Sequence, residues 1–232
     1  MTLALLKQLG VSTTFQNNTI EVDSKFKIQN SKFTVESDWS SVSYWYSIVA
    51  LSEIGTELTV ANFKKSSLQG DAILTKIYQD FGVQTIFNNN NSITITKTKT
   101  NYKNQKSLIY NLQSTPDIAQ TITVTCFGLG IECTLTGLHT LKIKETDRLK
   151  ALQVELTKLG ATISTTAHSL HVQPSGIIKE NVAITTYQDH RMAMAFAPLA
   201  IKVPIIINNT EVVSKSYPNF WNHLQQVGFT IQ

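Results

Sequence analysis

Residues 155–165 read Glu-Leu-Thr-Lys-Leu-Gly-Ala-Thr-Ile-Ser-Thr, a helical pattern that stops at Gly160 and passes at once into a β-rich run. A glycine just beyond the last helical residue takes up the conformation that closes a helix, so the stretch reads as a helix end feeding a strand. The same arrangement occurs in LLKQLGVSTTF (5–15), IYQDFGVQTIF (77–87) and LQQVGFTIQ (224–232). The four glycines, Gly10, Gly82, Gly160 and Gly228, stand 72, 78 and 68 residues apart, which marks an internal repeat. Leu149, Leu152, Leu156 and Leu159 carry the helical period in one copy, and Phe220, Trp221, Leu224 and Val227 carry it in another.

A second echo lies upstream of the last three glycines. Asp38, Asp117 and Asp189 each follow a strand-like run (32–37, 107–116, 182–188) and each opens a nearly all-apolar helix (42–51, 118–129, 192–201). Another strand-like run follows each of these helices (57–63, 131–138, 203–209). The unit is therefore strand, buried helix, strand, amphipathic helix, glycine, hairpin. Three βαβαββ modules are expected, over 31–100, 107–175 and 180–232, together forming one domain in an α/β, roughly threefold arrangement. The first two end in hairpins (83–97, 161–174), whereas the third stops at 229–232, one strand short. Residues 1–30 supply only the last helix and hairpin of a preceding module. An orphan hairpin at one end and an unpaired edge at the other lead to the expectation of a C-terminal part of a longer protein, whose remainder supplies the missing strand.

Composition narrows the function classes. The chain of 232 residues is 42% hydrophobic and 16% charged, ordinary for a globular protein. No apolar run reaches the ~18 residues of a membrane span, and the first ten residues lack the basic and small-residue features of a signal peptide. Cys126 and Cys133 make neither a disulfide framework nor a metal spacing, which points to a reduced cytoplasmic protein without membrane attachment. A net charge of +4 with scattered basic residues does not call for nucleic acid; a basic pocket for a small anion fits better.

Chemistry-bearing residues gather at the helix mouths. In KIKETDRLKAL (142–152), Thr146 or Asp147 can cap a helix and Arg148 can be merely solvated. The same stretch also reads as an anion site built on Lys144, Arg148 and free helix N–H groups, with Glu145 as proton carrier. In YQDHRMAMA (187–195), Asp189 reads as a cap and His190 as a hydrogen-bonded side chain, but Arg191 at the head of a buried helix calls for an anionic partner. Lys215 precedes a further helix start with Pro218 near its first turn, Asp117 stands before its helix as either cap or acid, and LQGDAI (68–73) turns into a helix at Asp71. Equivalent helix starts in a closed repeat converge on one face. Asp117, Lys144, Glu145, Arg148, His190, Arg191 and Lys215 together then suit a multiply anionic substrate undergoing proton transfer.

VESDWSSVSYW, KETDRLKALQVELTKLGA, YQDHRMAMAFAPLA and VSKSYPNFWNHLQQVG, in this order, closely resemble the EPSP synthase (3-phosphoshikimate 1-carboxyvinyltransferase) family over essentially the whole chain. The resemblance implies an enolpyruvyl transferase fold, an inside-out α/β barrel of which this chain is the C-terminal half. It implies a cleft between two such domains, and transfer of the enolpyruvyl group of phosphoenolpyruvate to the 5-hydroxyl of shikimate 3-phosphate without metal or organic cofactor. By motif match, Asp117 resembles the carboxylate that holds the ring hydroxyls and acts as base, and Glu145 the acid/base at the methylene carbon. Lys144 resembles the lysine on the shikimate phosphate side. Arg148, Arg191 and Lys215 resemble the cations that clamp phosphoenolpyruvate and the departing phosphate, with Asp189 and His190 adjacent.

Two departures stand out: Tyr217-Pro218-Asn219 where the family often has Phe-Pro-Asp, and Thr140 where some members carry asparagine. The family's Lys-Ser, Arg and Ser-Ser-Gln motifs for the shikimate phosphate have no counterpart here. The partners implied are the two substrates and the missing N-terminal half, and the chain alone is expected to be inactive. The alternatives are the sister transferase acting on UDP-N-acetylglucosamine, disfavoured by the KETDR and DHR strings, and a non-catalytic anion-binding domain of the same fold.

Overall fold

The computed structural model describes residues 1–23, 25, 34–99 and 107–232. The expected boundaries at 30/31 and at 100 lie outside the described residues. At the N-terminal end, α1 (Thr2–Gln8) leads through Gly10 into the antiparallel hairpin β1 (Thr13–Gln16) and β2 (Thr19–Val22). This segment buries no helix residue and leaves Phe15 and Ile20 exposed.

The middle of the chain shows the repeating unit in full. β6 (Leu108–Asn111) is followed by a 3-10 turn (Pro116–Ile118), α4 (Ala119–Leu129), β7 (Cys133–Thr136), a second 3-10 turn (His139–Ile143), α5 (Arg148–Lys158) and the hairpin β8 (Ile163–Thr165) and β9 (Leu170–Val172). Its sheet runs β6-β7-β9-β8, with β6 and β7 parallel and the remainder antiparallel.

The preceding stretch contributes α2 (Trp39–Leu51), β3 (Glu57–Ala61), a 3-10 turn (Gly70–Ile73) running into α3 (Leu74–Ile77), β4 (Val83–Phe87) and β5 (Ser92–Lys97). Its sheet order, β3-β5-β4, matches β7-β9-β8. The last stretch contributes β10 (Val182–Ile184), α6 (His190–Phe196) continuing as a 3-10 turn over Ala197–Ile201, β11 (Ile205–Ile207), a 3-10 turn (Thr210–Val213) and α7 (Phe220–Gln226). Its parallel pair β10-β11 matches β6-β7.

The structure departs from the sequence expectation at four places. Of the strand expected over 32–37, residues 32 and 33 lie outside the described residues and 34–37 form no strand. Residues 229–232 after Gly228 are likewise not a strand: in the middle unit the equivalent strand, β8, pairs with β9, and no described strand takes the place of β9 beside β11. The helix expected over 192–201 changes to 3-10 at Ala197, where Pro198 has no N–H to continue an α-helical ladder. The helix expected before Gly82 is mostly 3-10 and one short α turn.

Three central helices, α2, α4 and α6, pack against one another. Helices apolar on every side are stable only when surrounded by protein. The α2–α4 seam is closed by small hydroxyls, with Ser43 Oγ 3.0 Å from Thr121 Oγ1 and Thr125 Oγ1 donating to Ser47 Oγ at 2.8 Å. At the far end, a Cβ on Gly128 would stand 2.6 Å from Leu51 Cδ2 and 2.9 Å from Leu199 Cδ2, so only glycine fits there without displacement. The sheets lie outside and turn alternate residues inward, Ile93 and Ile95 from β5, Cys133 and Leu135 from β7, Leu170 and Val172 from β9. Among the described residues no helix is long and apolar enough to cross a membrane.

Candidate active site

The mouths of α4, α5 and α6 meet around one guanidinium. Arg148 is the first residue of α5, whose N-cap is Asp147, accepting from Lys150 N at 3.0 Å. Its side chain is 1% exposed and is shared among three carboxylates. Nε donates to Asp189 Oδ2 at 2.7 Å, Nη1 to Asp117 Oδ1 at 3.0 Å, and Nη2 to Glu145 Oε2 at 2.6 Å. Asp117, on the 3-10 turn before α4, also meets Lys144 Nζ at 3.3 Å and Arg191 Nη2 at 3.3 Å, while Arg191 Nη1 donates to the Asp117 carbonyl at 3.3 Å. Alternating charges compensate one another across the cluster, as burial of a guanidinium requires.

The groups differ in depth. Arg148 and Asp189 form the floor, whereas Asp117 and Glu145 keep 30% and 44% of their side chains exposed at the rim. Burial pushes the Asp117 carboxyl up, but Arg191, Lys144 and Arg148 outweigh it and hold the carboxyl below its ordinary range. Glu145 is likewise held low: burial opposes this, and a backbone hydrogen bond, Arg148, His190 and Arg191 prevail. Burial and the neighbouring Arg191 lower His190 against the pull of Asp189 and Glu145, so its imidazole is neutral at neutral pH. Arg191 is held charged: burial works against the cation, and Tyr44, Asp117, Asp38 and Asp71 overcome it.

Asp189 is both a cap and an ion-pair partner. Its Oδ1 accepts from Arg191 N at 2.8 Å while its Oδ2 takes Arg148. Asp38 caps α2 through Ser40 N and Ser41 N at 3.2 and 3.0 Å, but Asp117 caps nothing and is given over to the three cations. Lys144, Glu145, Arg148, Asp189, His190 and Arg191 are thus drawn to Asp117's side of the molecule. Lys215 lies exposed in the turn before α7 and forms no ion pair among the described residues.

Two supporting residues escape a reading of the sequence alone. Glu155, fully buried on α5, accepts Tyr187 OH at 2.7 Å and Thr185 N at 3.0 Å, and pairs with Lys158. Tyr187 and Gln188 hold φ of 54° and 57°, a left-handed pair of ordinary residues directly before Asp189. One helix therefore grips the 185–189 turn twice, through Glu155 and through Arg148. The available signal was an acid lying among Leu152, Leu156 and Leu159 on the apolar stripe. The second residue is Asp71, whose carboxylate accepts from both Ser40 Oγ and Thr115 Oγ1. Among the described residues no group of three His, Cys, Asp or Glu side chains is arranged to hold a metal.

Comparison with known proteins identifies the family. A profile of EPSP synthase (3-phosphoshikimate 1-carboxyvinyltransferase) matches residues 1–224. The 3-phosphoshikimate 1-carboxyvinyltransferase of Bacteroides fragilis strain YCH46 is 41% identical over all of this chain and 56% of its own length. The chloroplastic enzyme of Petunia hybrida is 32% identical over 97% of this chain and 44% of its own. Among solved structures, EPSP synthase from Acinetobacter baumannii superposes with a TM-score of 0.83 at 21% identity, covering 100% of this chain and 55% of that one. The enolpyruvyl transferase NikO from Streptomyces tendae superposes at 0.66 and 15% identity, over 99% of this chain and 52% of that one. The chain spans about half the length of the curated relatives it matches. With its profile match running almost end to end, the chain belongs to the EPSP synthase family.

Proposed function

We propose that this chain supplies one wall of an active site that moves the enolpyruvyl group of phosphoenolpyruvate onto the 5-hydroxyl of shikimate 3-phosphate, with the remainder of a longer polypeptide supplying the other wall. The observation that carries this reading is the pair Asp117 and Glu145 held on a single buried guanidinium, with both carboxylates opening outward. Asp117, kept ionised by its three cations, accepts the hydroxyl proton as oxygen attacks C2 of phosphoenolpyruvate. Glu145 gives a proton to C3, making a methyl group. In the second step it takes a proton back from that methyl as the C–O bond to phosphate breaks.

Glu145 is ionised in this structure because a backbone hydrogen bond and the guanidinium cations of Arg148 and Arg191 hold its carboxyl low against burial. An incoming carboxylate and phosphate neutralise those cations and raise its proton affinity, so substrate itself loads the acid. Lys215 is exposed and Lys144 keeps 34% of its side chain open to an arriving anion, against 14% for Arg191. Arg148 reaches one only by releasing Glu145. The free, buried thiols of Cys126 and Cys133 accord with a cytoplasmic location.

Calorimetric titration tests the binding part. Phosphoenolpyruvate is titrated, in the presence of shikimate 3-phosphate, into this chain mixed with the part of the Bacteroides fragilis relative that it does not match. Saturable binding is expected, weakened at least about tenfold by Arg191→Gln. Binding of equal strength in the variant contradicts the reading.

A further inference from the structure

The Asp117 carboxylate meets three cations within 3.0 to 3.3 Å, yet its own turn is short and has no side-chain cap. Something outside that turn must fix it. Thr115 stands two residues earlier, buried, with φ −150° and ψ 50°. Pro116 bars it from the helical region, so the chain enters the 3-10 turn abruptly and Thr115 sets the direction. The Thr115 hydroxyl donates to one oxygen of Asp71, and Ser40, in the first turn of α2, donates to the other. Beside this bridge the backbones touch: a Cβ on Gly70 would stand 2.8 Å from the Ser114 carbonyl oxygen. The approach therefore needs glycine at 70 and delivers the carboxylate of residue 71 to Thr115.

We propose that Asp71 is a positioning residue for Asp117, acting through Thr115. It touches neither Asp117 nor any cation of the cluster by hydrogen bond. Its carboxylate ties α2 to the loop that carries Asp117, and so sets where that carboxylate stands against Lys144, Arg148 and Arg191. The catalytic consequence rests on Asp117 being the base proposed above; the positional claim does not.

The test uses the 232-residue chain and no turnover. With 13C-labelled aspartate, the Asp117 carboxyl resonance is recorded at pH 6 and followed into acid for wild type, Asp71→Asn, Thr115→Val and Thr115→Ser, alongside thermal unfolding. Thr115→Val is expected to displace the resonance and raise its titration midpoint by roughly half a unit, about a threefold gain in proton affinity. Asp71→Asn is expected to do the same, and Thr115→Ser, which keeps the hydroxyl, to restore the wild-type signal. A lower melting temperature with an unmoved resonance overturns the proposal, since Asp71 would then be structural only. Movement in Asp71→Asn but not in Thr115→Val also overturns it, because charge rather than position would be acting on the cluster.

Discussion

Arg148 Nε and Asp189 Oδ2 lie 2.7 Å apart with side chains 1% and 0% exposed, joining the start of α5 to the start of α6 across 41 residues of sequence. Breaking such a pair from one side leaves a buried charge without compensation. Arg148→Met is therefore expected to lower unfolding free energy by about 3–5 kcal/mol in urea titration. Asp189→Asn should cost less, because Arg148 keeps Asp117 and Glu145 and the asparagine oxygen can still accept from Arg191 N.

Gly137 follows β7 with φ 76°, and a Cβ there would lie 2.5 Å from Gln113 N and 2.8 Å from Gln113 Cα. Backbone cannot yield as a side-chain end can. Gly137→Ala is expected to destabilise by about 2 kcal/mol or more, combining left-handed strain with a collision against the loop that leads to Asp117. The thermal midpoint reads the loss.

Acid acts on the cluster in two windows. The His190 imidazole is lowered in the folded protein, so the unfolded chain binds its proton first and stability falls as pH drops below about 6.5. Asp117 is held below its unfolded value. Its contribution is present above about pH 3.9 and is lost as pH falls toward the folded pKa. His190→Gln is expected to flatten the first slope alone, and Asp117→Asn to shrink the second, in unfolding free energies measured from pH 7 to pH 3.

At alkaline pH a different residue governs. Lys97 is buried with Nζ donating to the carbonyls of Ala50 and Phe81, and burial, aided by Lys202, lowers its pKa to about 8. The unfolded chain then holds this proton more tightly between pH 8 and about 10.4, so Lys97's contribution to stability rises with pH through that window. Wild type is expected to gain on Lys97→Met from pH 8 to 10, read as a widening difference in unfolding free energy.

Local chemistry explains which features could be read from the sequence. Gly160 ends α5 with φ 103°, and the all-apolar runs around Trp45, Val124 and Met194 are the central helices, because period and composition are properties of contiguous residues. The convergence of Asp117, Lys144, Glu145, Arg148, His190 and Arg191 was accessible through the repeat, which places equivalent helix starts together, whereas Lys215, expected beside them, forms no ion pair among the described residues. Their division of labour was not: Asp38 and Asp189 cap helices while Asp117 does not, and that difference comes from cations on other segments. Glu155 and Asp71 were missed for the same reason. Each acts on residues about 30 or more positions away, and only packing brings those together.

The most direct test of the central claim is the rate of phosphate release coupled to formation of the enolpyruvyl ether. It is measured for this chain combined with the unmatched part of the Bacteroides fragilis relative. The account predicts turnover that needs both polypeptides and falls about 100-fold or more in Glu145→Gln, with shikimate 3-phosphate still bound. Turnover indifferent to Glu145→Gln and Asp117→Asn, or full turnover by this chain alone, would contradict it.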